Sequence, residues 1–135
     1  AIPPRSSVTE ESRMLDSLQH IEELDREMQN CIQNCLDCHS ICLATAMHCL
    51  DMGGKHAARE HITTLLACAE ICQTSANFML MHSPLHPQTC GVCADACERC
   101  AAECERLADG DRQMLACAEV CRRCAASCRE MARAA

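Results

Sequence analysis

The chain contains no tryptophan and no tyrosine, and Phe78 is its one aromatic residue, so any interior must be built from Leu, Ile, Ala, Met and cysteine. It also lacks an excess of positive charge: twelve Lys and Arg against nineteen Asp and Glu give a formal net charge of −7, which argues against a nucleic-acid or anionic-membrane partner, since either requires a basic patch to displace counterions. Cations are the more natural ligand. No run of about 18 apolar residues is present, so no membrane-spanning helix is expected, and Ala1 to Ser7 lack the basic and apolar regions of a secretion signal. Glycine and proline are scarce, four of each, and most sit where a helix is expected to stop or start. A chain of 135 residues makes one domain and buries roughly 65–70% of its unfolded surface, so it does not need covalent staples to hold a core.

What the chain has in abundance is cysteine, sixteen residues, and their spacing is ordered. Twelve of the fifteen gaps between successive cysteines are three, four or seven residues. Residues so spaced share one helical face. Cys31, Cys35, Cys38, Cys42 and Cys49 form one stripe, and Cys68 and Cys72 a second. Cys90, Cys93, Cys97, Cys100 and Cys104 form a third, and Cys117, Cys121, Cys124 and Cys128 a fourth. Each of the three longer gaps holds a helix-breaking sequence, so the stripes belong to four separate helices.

Helix signals fit this division. Ser7 and Glu10 have the spacing of a capping box, and Val8, Met14, Leu15, Leu18, Ile21 and Leu24 follow with helical period, which predicts a short N-terminal lead-in helix that joins or bends into the first main helix. The first main helix is expected over about 24–52, ending at Gly53-Gly54; the second runs from about 55 to 82 and stops at Ser83-Pro84. His86-Pro87 opens the third, which ends near Leu107; Asp109-Gly110-Asp111 turns the chain, and an acidic residue caps a fourth helix reaching about Arg133. Connections this short force antiparallel neighbours. The expected fold is all-α: an up-down-up-down four-helix bundle, with residues 1–23 as leader and lead-in helix and 24–135 as the cysteine-lined bundle of a single domain. The segment CADACERCAAEC, Cys93 to Cys104, resembles CAEVCRRCAASC, Cys117 to Cys128, as a duplicated helix hairpin would.

Four chemistries compete for such stripes. Cysteine as a small buried hydrophobe does not explain a third helix whose stripe is cysteine for four turns with no Leu or Ile interleaved. Disulfides suit an even cysteine count, but helices packed at roughly 8–10 Å bring few facing pairs into bridging range. Iron–sulfur loops need other spacings in irregular backbone. A redox pair needs one activated thiolate rather than sixteen similar sites; the best placed is Cys90-Gly91-Val92-Cys93 at a helix start. Metal binding remains. Zinc held by four thiolates carries net charge −2, and stacking several such sites in a dry axis costs on the order of several kcal/mol per uncompensated charge. Cu(I) is soft and monovalent and lets each thiolate bridge two metals, so at about one copper per cysteine the filled core is neutral. Ag(I) satisfies the same chemistry; copper is the expected cellular partner.

Neutral soft residues stand where the stripes stop. His48, Met52, His56, His61, Cys104 and Met114 gather at one mouth of an antiparallel bundle, and Met28, Met79, His82, His86, Cys90 and Met131 at the other. His61, Met52, Met114 and His48 join the sixteen cysteines as candidate metal ligands, His61 having the best phase.

With these stripes and ends in place, the chain resembles the bacterial copper storage proteins over about residues 25–131. The resemblance implies a non-enzymatic store that holds many Cu(I) ions along the bundle axis through bridging thiolates, loads through one open end, and assembles as a homotetramer. Helix two departs from that pattern, with Leu65, Ser75 and Met79 at stripe positions, which leaves the copper chain thinner on that side. Reduced thiols favour the cytoplasm, the alternative being an exported protein whose signal is absent from this chain. Two rival functions stay open: a copper chaperone or detoxifying buffer, and a thiol oxidoreductase using Cys90 and Cys93.

Overall fold

A computed structural model describes residues 9–133. Among them the chain forms α1 (Glu10–Met52), a 3₁₀ turn (Gly54–Ala57), α2 (Arg59–Leu80), α3 (His86–Ala108) and α4 (Arg112–Arg133). The helices pack as a ring, α1 against α2, α2 against α3, α3 against α4, and α4 back against α1, with successive helices antiparallel. This is the four-helix bundle expected from the cysteine spacing.

The lead-in segment and the first main helix are one uninterrupted helix of 43 residues. No Gly or Pro lies between Thr9 and Gly53, and the intervening Glu, Arg, Leu and Met are strong helix formers, so nothing ends the helix sooner. Ser7 lies outside the described residues; the side chain that caps α1 is Thr9, whose Oγ1 accepts the Ser12 backbone N–H at 3.0 Å. At about 1.5 Å per residue α1 is roughly twice as long as its partners, and its first half overhangs the bundle with Met14, Leu15 and Leu18 at least half exposed.

The turns use the residues that the sequence puts there. Gly53, at φ 74°, ends α1 and donates its N–H to the Cys49 carbonyl. α2 ends through His82 in left-handed backbone, with the Ser83 N–H bonded to the Phe78 carbonyl at 2.9 Å. Between α3 and α4, Asp109 is left-handed and Asp111 caps α4, its Oδ1 accepting the Met114 N–H at 2.9 Å.

All sixteen cysteines point inward with no exposed surface. The seams between helices are lined by alanine. Ala69, Ala76, Ala94, Ala101, Ala118 and Ala125 are all buried, and each directly follows an axis residue, Cys68, Ser75, Cys93, Cys100, Cys117 and Cys124. Small side chains there let the helix backbones approach closely, and this close approach brings thiols from different helices into contact. His39 fastens the α1–α2 seam with its Nδ1 2.7 Å from the Ala69 carbonyl, and Arg122 with Glu105, and Arg129 with Asp95 and Glu98, span the outer face of α3 and α4.

Candidate metal centre

Because the stripes of four helices face one axis, their sulfurs form a continuous column. Contacts between helices run along its length: Cys31 and Cys35 lie 3.6 and 3.5 Å from Cys128, Cys124 lies 3.7 Å from Cys35, and Cys72 lies 3.6 Å from both Cys93 and Cys97. Further along, Cys38 is 3.6 Å from Cys121 and Cys42 is 3.8 Å from Cys117. These are thiol contact distances, well beyond an S–S bond of about 2.0 Å, and every cysteine is free.

Five groups of thiols have their sulfurs mutually within 4.8 Å. In order along the axis they are Cys31, Cys90 and Cys128; then Cys35, Cys93, Cys124 and Cys128; then Cys38, Cys72, Cys97 and Cys124; then Cys38, Cys42, Cys68 and Cys121; then Cys42, Cys100, Cys117 and Cys121. Successive groups share corners. Cys128, Cys124, Cys38, and the pair Cys42 and Cys121 each belong to two groups, so the column is a string of fused polyhedra rather than separate sites. Cys49 and Cys104 lie outside the five groups; Cys49 is instead 3.3 Å from His61 Nε2.

Electrostatics in the metal-free column follow from burial and from thiols that donate to one another. Cys35 is lowered to about 6, because the Cys124, Cys128 and Cys31 thiols donate hydrogen bonds to its thiolate. Cys38, Cys68, Cys93 and Cys117 are also lowered, with Cys121, Cys100, Cys124 and Cys100 respectively as the leading neighbours. Neighbours such as Cys42 and Cys72 are pushed up, chiefly by Cys100 and Cys124. Cys49 rises to about 11, first from burial and then from the negative charge of Asp111. His61 is lowered by burial, which keeps its imidazole neutral at neutral pH.

The four candidate ligands other than cysteine divide. His61 is 1% exposed and its Nδ1 has no hydrogen-bond partner, while Met114 is fully buried at the start of α4. His48 stands at the same end but bonds Asp111 Oδ2 through Nε2 at 2.9 Å, and Met52 is 43% exposed on the last turn of α1. His56 Nε2 meets the Leu107 carbonyl at 2.9 Å. At the opposite end Met79 and Met131 are buried, Met28 packs partly against the core, and His82 is exposed.

Sequence reasoning placed Ser75 on the stripe without a role for its hydroxyl, and missed Thr45 and Asn34. Ser75 occupies a stripe position of α2, fully buried, with Oγ 3.3 Å from Cys90 Sγ. Thr45, also fully buried, accepts from Gln113 Nε2 at 3.4 Å, and Asn34 donates to Ser127 Oγ at 3.1 Å beside the Cys31 end. The repeated Cys-Ala dipeptide, seven residues apart in α3 and again in α4, was the available signal for the seams.

The donor set is soft, reduced, dry and short of counter-charge. Thiolates that each serve two groups suit ions of low charge that accept bridging sulfur, and Cu(I) has those properties. Separate divalent sites would need four thiolates apiece, which shared corners do not supply.

A family model described as Csp, copper storage protein, matches residues 24–133. Among solved structures, the Nmul_A1745 protein of Nitrosospira multiformis is 49% identical with a TM-score of 0.77, covering 82% of this chain and 99% of its own. The Cu(I)-bound copper storage protein BsCsp3 of Bacillus subtilis is 34% identical at a TM-score of 0.73, covering 78% of this chain and 98% of that one. A cytosolic copper storage protein from Streptomyces lividans, captured during copper loading with five coppers, is 31% identical at 0.73, over 80% of this chain and 93% of that one.

Proposed function

The chain belongs to the copper storage protein family, and we propose that its column of fused thiol groups is the store itself. The protein holds many Cu(I) ions along the bundle axis through bridging cysteine thiolates, for sequestration and later supply. The observation that carries this is corner sharing: thiolates that serve two groups at once match a monovalent bridged ion, and about one copper per cysteine neutralises the buried charge.

In this assignment all sixteen cysteines are ligands. The fourteen in the five groups form the bridged column, and Cys49, Cys104, His61 and Met114 make the end nearest the α1–α2 and α3–α4 turns. A neutral imidazole and a thioether bind Cu(I) without adding charge, so copper enters there. His48 and Met52 serve capture at the rim, outside the buried column. No catalytic step is assigned. Cys90 and Cys93 are fully buried, whereas a redox thiol must be reached by its substrate. A cytosolic location and assembly into a homotetramer are part of the proposal, supported by the free thiols, the cytosolic Streptomyces relative and exposed apolar residues such as Leu43, Met47 and Leu50 along the outside of α1.

The test is anaerobic titration of the fully reduced protein with Cu(I) against a competing chelator, with thiols counted before and after. A sharp endpoint near one copper per cysteine, on the order of sixteen per chain, is expected. An endpoint of one or two coppers overturns storage in favour of a chaperone.

A further inference from the structure

Four of the five thiol groups have four sulfurs; the group at the α1 overhang end has three. Cys31, Cys90 and Cys128 come from α1, α3 and α4, and the fourth wall, α2, presents Ser75, whose Oγ lies 3.3 Å from Cys90 Sγ. All four side chains are fully buried. The site therefore has three thiols mutually within 4.8 Å and no fourth thiol among them.

The geometry points to a binding site for trivalent arsenic, supplied as arsenite. As(III) takes three thiolates in a pyramid and keeps a lone pair in the fourth direction. Each of the other groups holds a fourth thiol; here α2 contributes none, and its Ser75 hydroxyl lies beside Cys90 instead. The exchange balances without an oxidant: As(OH)₃ and three Cys thiols give As(S-Cys)₃ and three waters. Three As–O and three S–H bonds break, three As–S and three O–H bonds form, and arsenic stays trivalent. Reactant and product are both neutral, so the dry interior imposes no charge penalty of the kind that disfavours a divalent ion on four thiolates. Access is short. A groove of about 400 Å³ between α1 and α4 is lined by Asn34, Ser127 and Met131, and Asn34 and Met131 lie one helical turn from Cys31 and Cys128. Met131, 4% exposed, and the Asn34–Ser127 hydrogen bond form the part of the groove wall nearest those cysteines in sequence.

The site uses thiols that also belong to the copper column but rests on their three-fold arrangement, not on copper storage. Reduced, metal-free protein is titrated with sodium arsenite, and at one equivalent the thiols that escape alkylation are mapped by peptide mass. Cys31, Cys90 and Cys128 are expected to be protected together. Cys128→Ser should weaken the first equivalent at least tenfold, and Cys49→Ser, at the far end of the axis, should leave it unchanged. Protection scattered over the four-thiol groups in the unmodified protein overturns the inference, and that result does not depend on whether a variant folds. So does a Cys128→Ser protein that stays helical and binds arsenite as before. A parallel Cu(I) titration separates the two assignments: a full copper endpoint with scattered arsenite protection defeats this site alone, and a failed copper endpoint with the three thiols protected defeats storage alone.

Discussion

The two ends of the thiol column share three walls and differ in the fourth. Near the turns, α1, α3 and α4 contribute Cys49, Cys104 and Cys117, and α2 places His61 and Leu65 opposite them. At the overhang end the same helices contribute Cys31, Cys90 and Cys128, and α2 places Ser75 and Met79. One end thus offers a neutral nitrogen ligand beside an apolar plug, and the other a hydroxyl beside a thioether. α2 supplies thiols only at Cys68 and Cys72, in the middle, so this one helix decides where the column is four-walled and where it changes character. The ends are distinguished by what stands in for cysteine.

The largest break in that comparison comes from Leu65→Ala. Leu65 is the largest fully buried side chain at the turn end, and truncating it should destabilise the metal-free protein by about 2–5 kcal/mol through lost transfer energy and a residual cavity. Urea unfolding under reducing conditions measures this; a change below 1 kcal/mol would show that the plug is loosely packed. His61→Leu comes next. It should leave most of the copper capacity intact and weaken the last coppers bound about tenfold, as read by chelator competition. It also carries a pH signature. Burial lowers the His61 pKa, so its contribution to stability is present above the ordinary histidine value and is lost as pH falls through the lowered one. In His61→Leu that acid-side loss should shrink, whereas the loss between pH 9 and about 11, where the raised Cys49 thiol ionises, should persist.

Asp111→Ala sharpens the contrast with less force. It removes both the cap of α4 and the partner of His48, and should cost about 1 kcal/mol. Because Asp111 is lowered by the Met114 N–H and by His48, its contribution is present above the ordinary aspartate range and fades as pH falls through it. The unmodified protein should therefore lose more stability than the variant on acidification. Arg122→Ala is the smallest change. The Arg122–Glu105 pair lies on the solvent face, outside the column, and no shift in thermal midpoint is expected.

Much of this was legible in the sequence, because helical period and cysteine spacing are both local properties. The four stripes, the breaks at Gly53, Ser83 and Asp109, and the placement of His61 and Met114 at one end all followed from counting residues along single helices. What was not legible depends on how helices rotate against one another. Corner sharing at Cys38 and Cys124 arises from sulfurs on three or four helices, which no one-helix pattern contains. His48 and Met52 have stripe-adjacent positions, yet rotation sends one to Asp111 and the other toward solvent. Ser75 was noted only as a missing thiol, although its hydroxyl faces Cys90. Continuity of α1 was open for another reason. Nothing between Thr9 and Gly53 breaks a helix, and the absence of a stop is a weaker signal than its presence.

Shared corners make the column a one-dimensional lattice with nearest-neighbour coupling. Copper taken up by one group would leave the thiolate at its corner ionised and oriented for the next group, so occupancy is expected to spread outward from the first filled position. A partly loaded population then contains a boundary between filled and empty stretches of the axis, and supply and sequestration become the movement of that boundary in opposite directions.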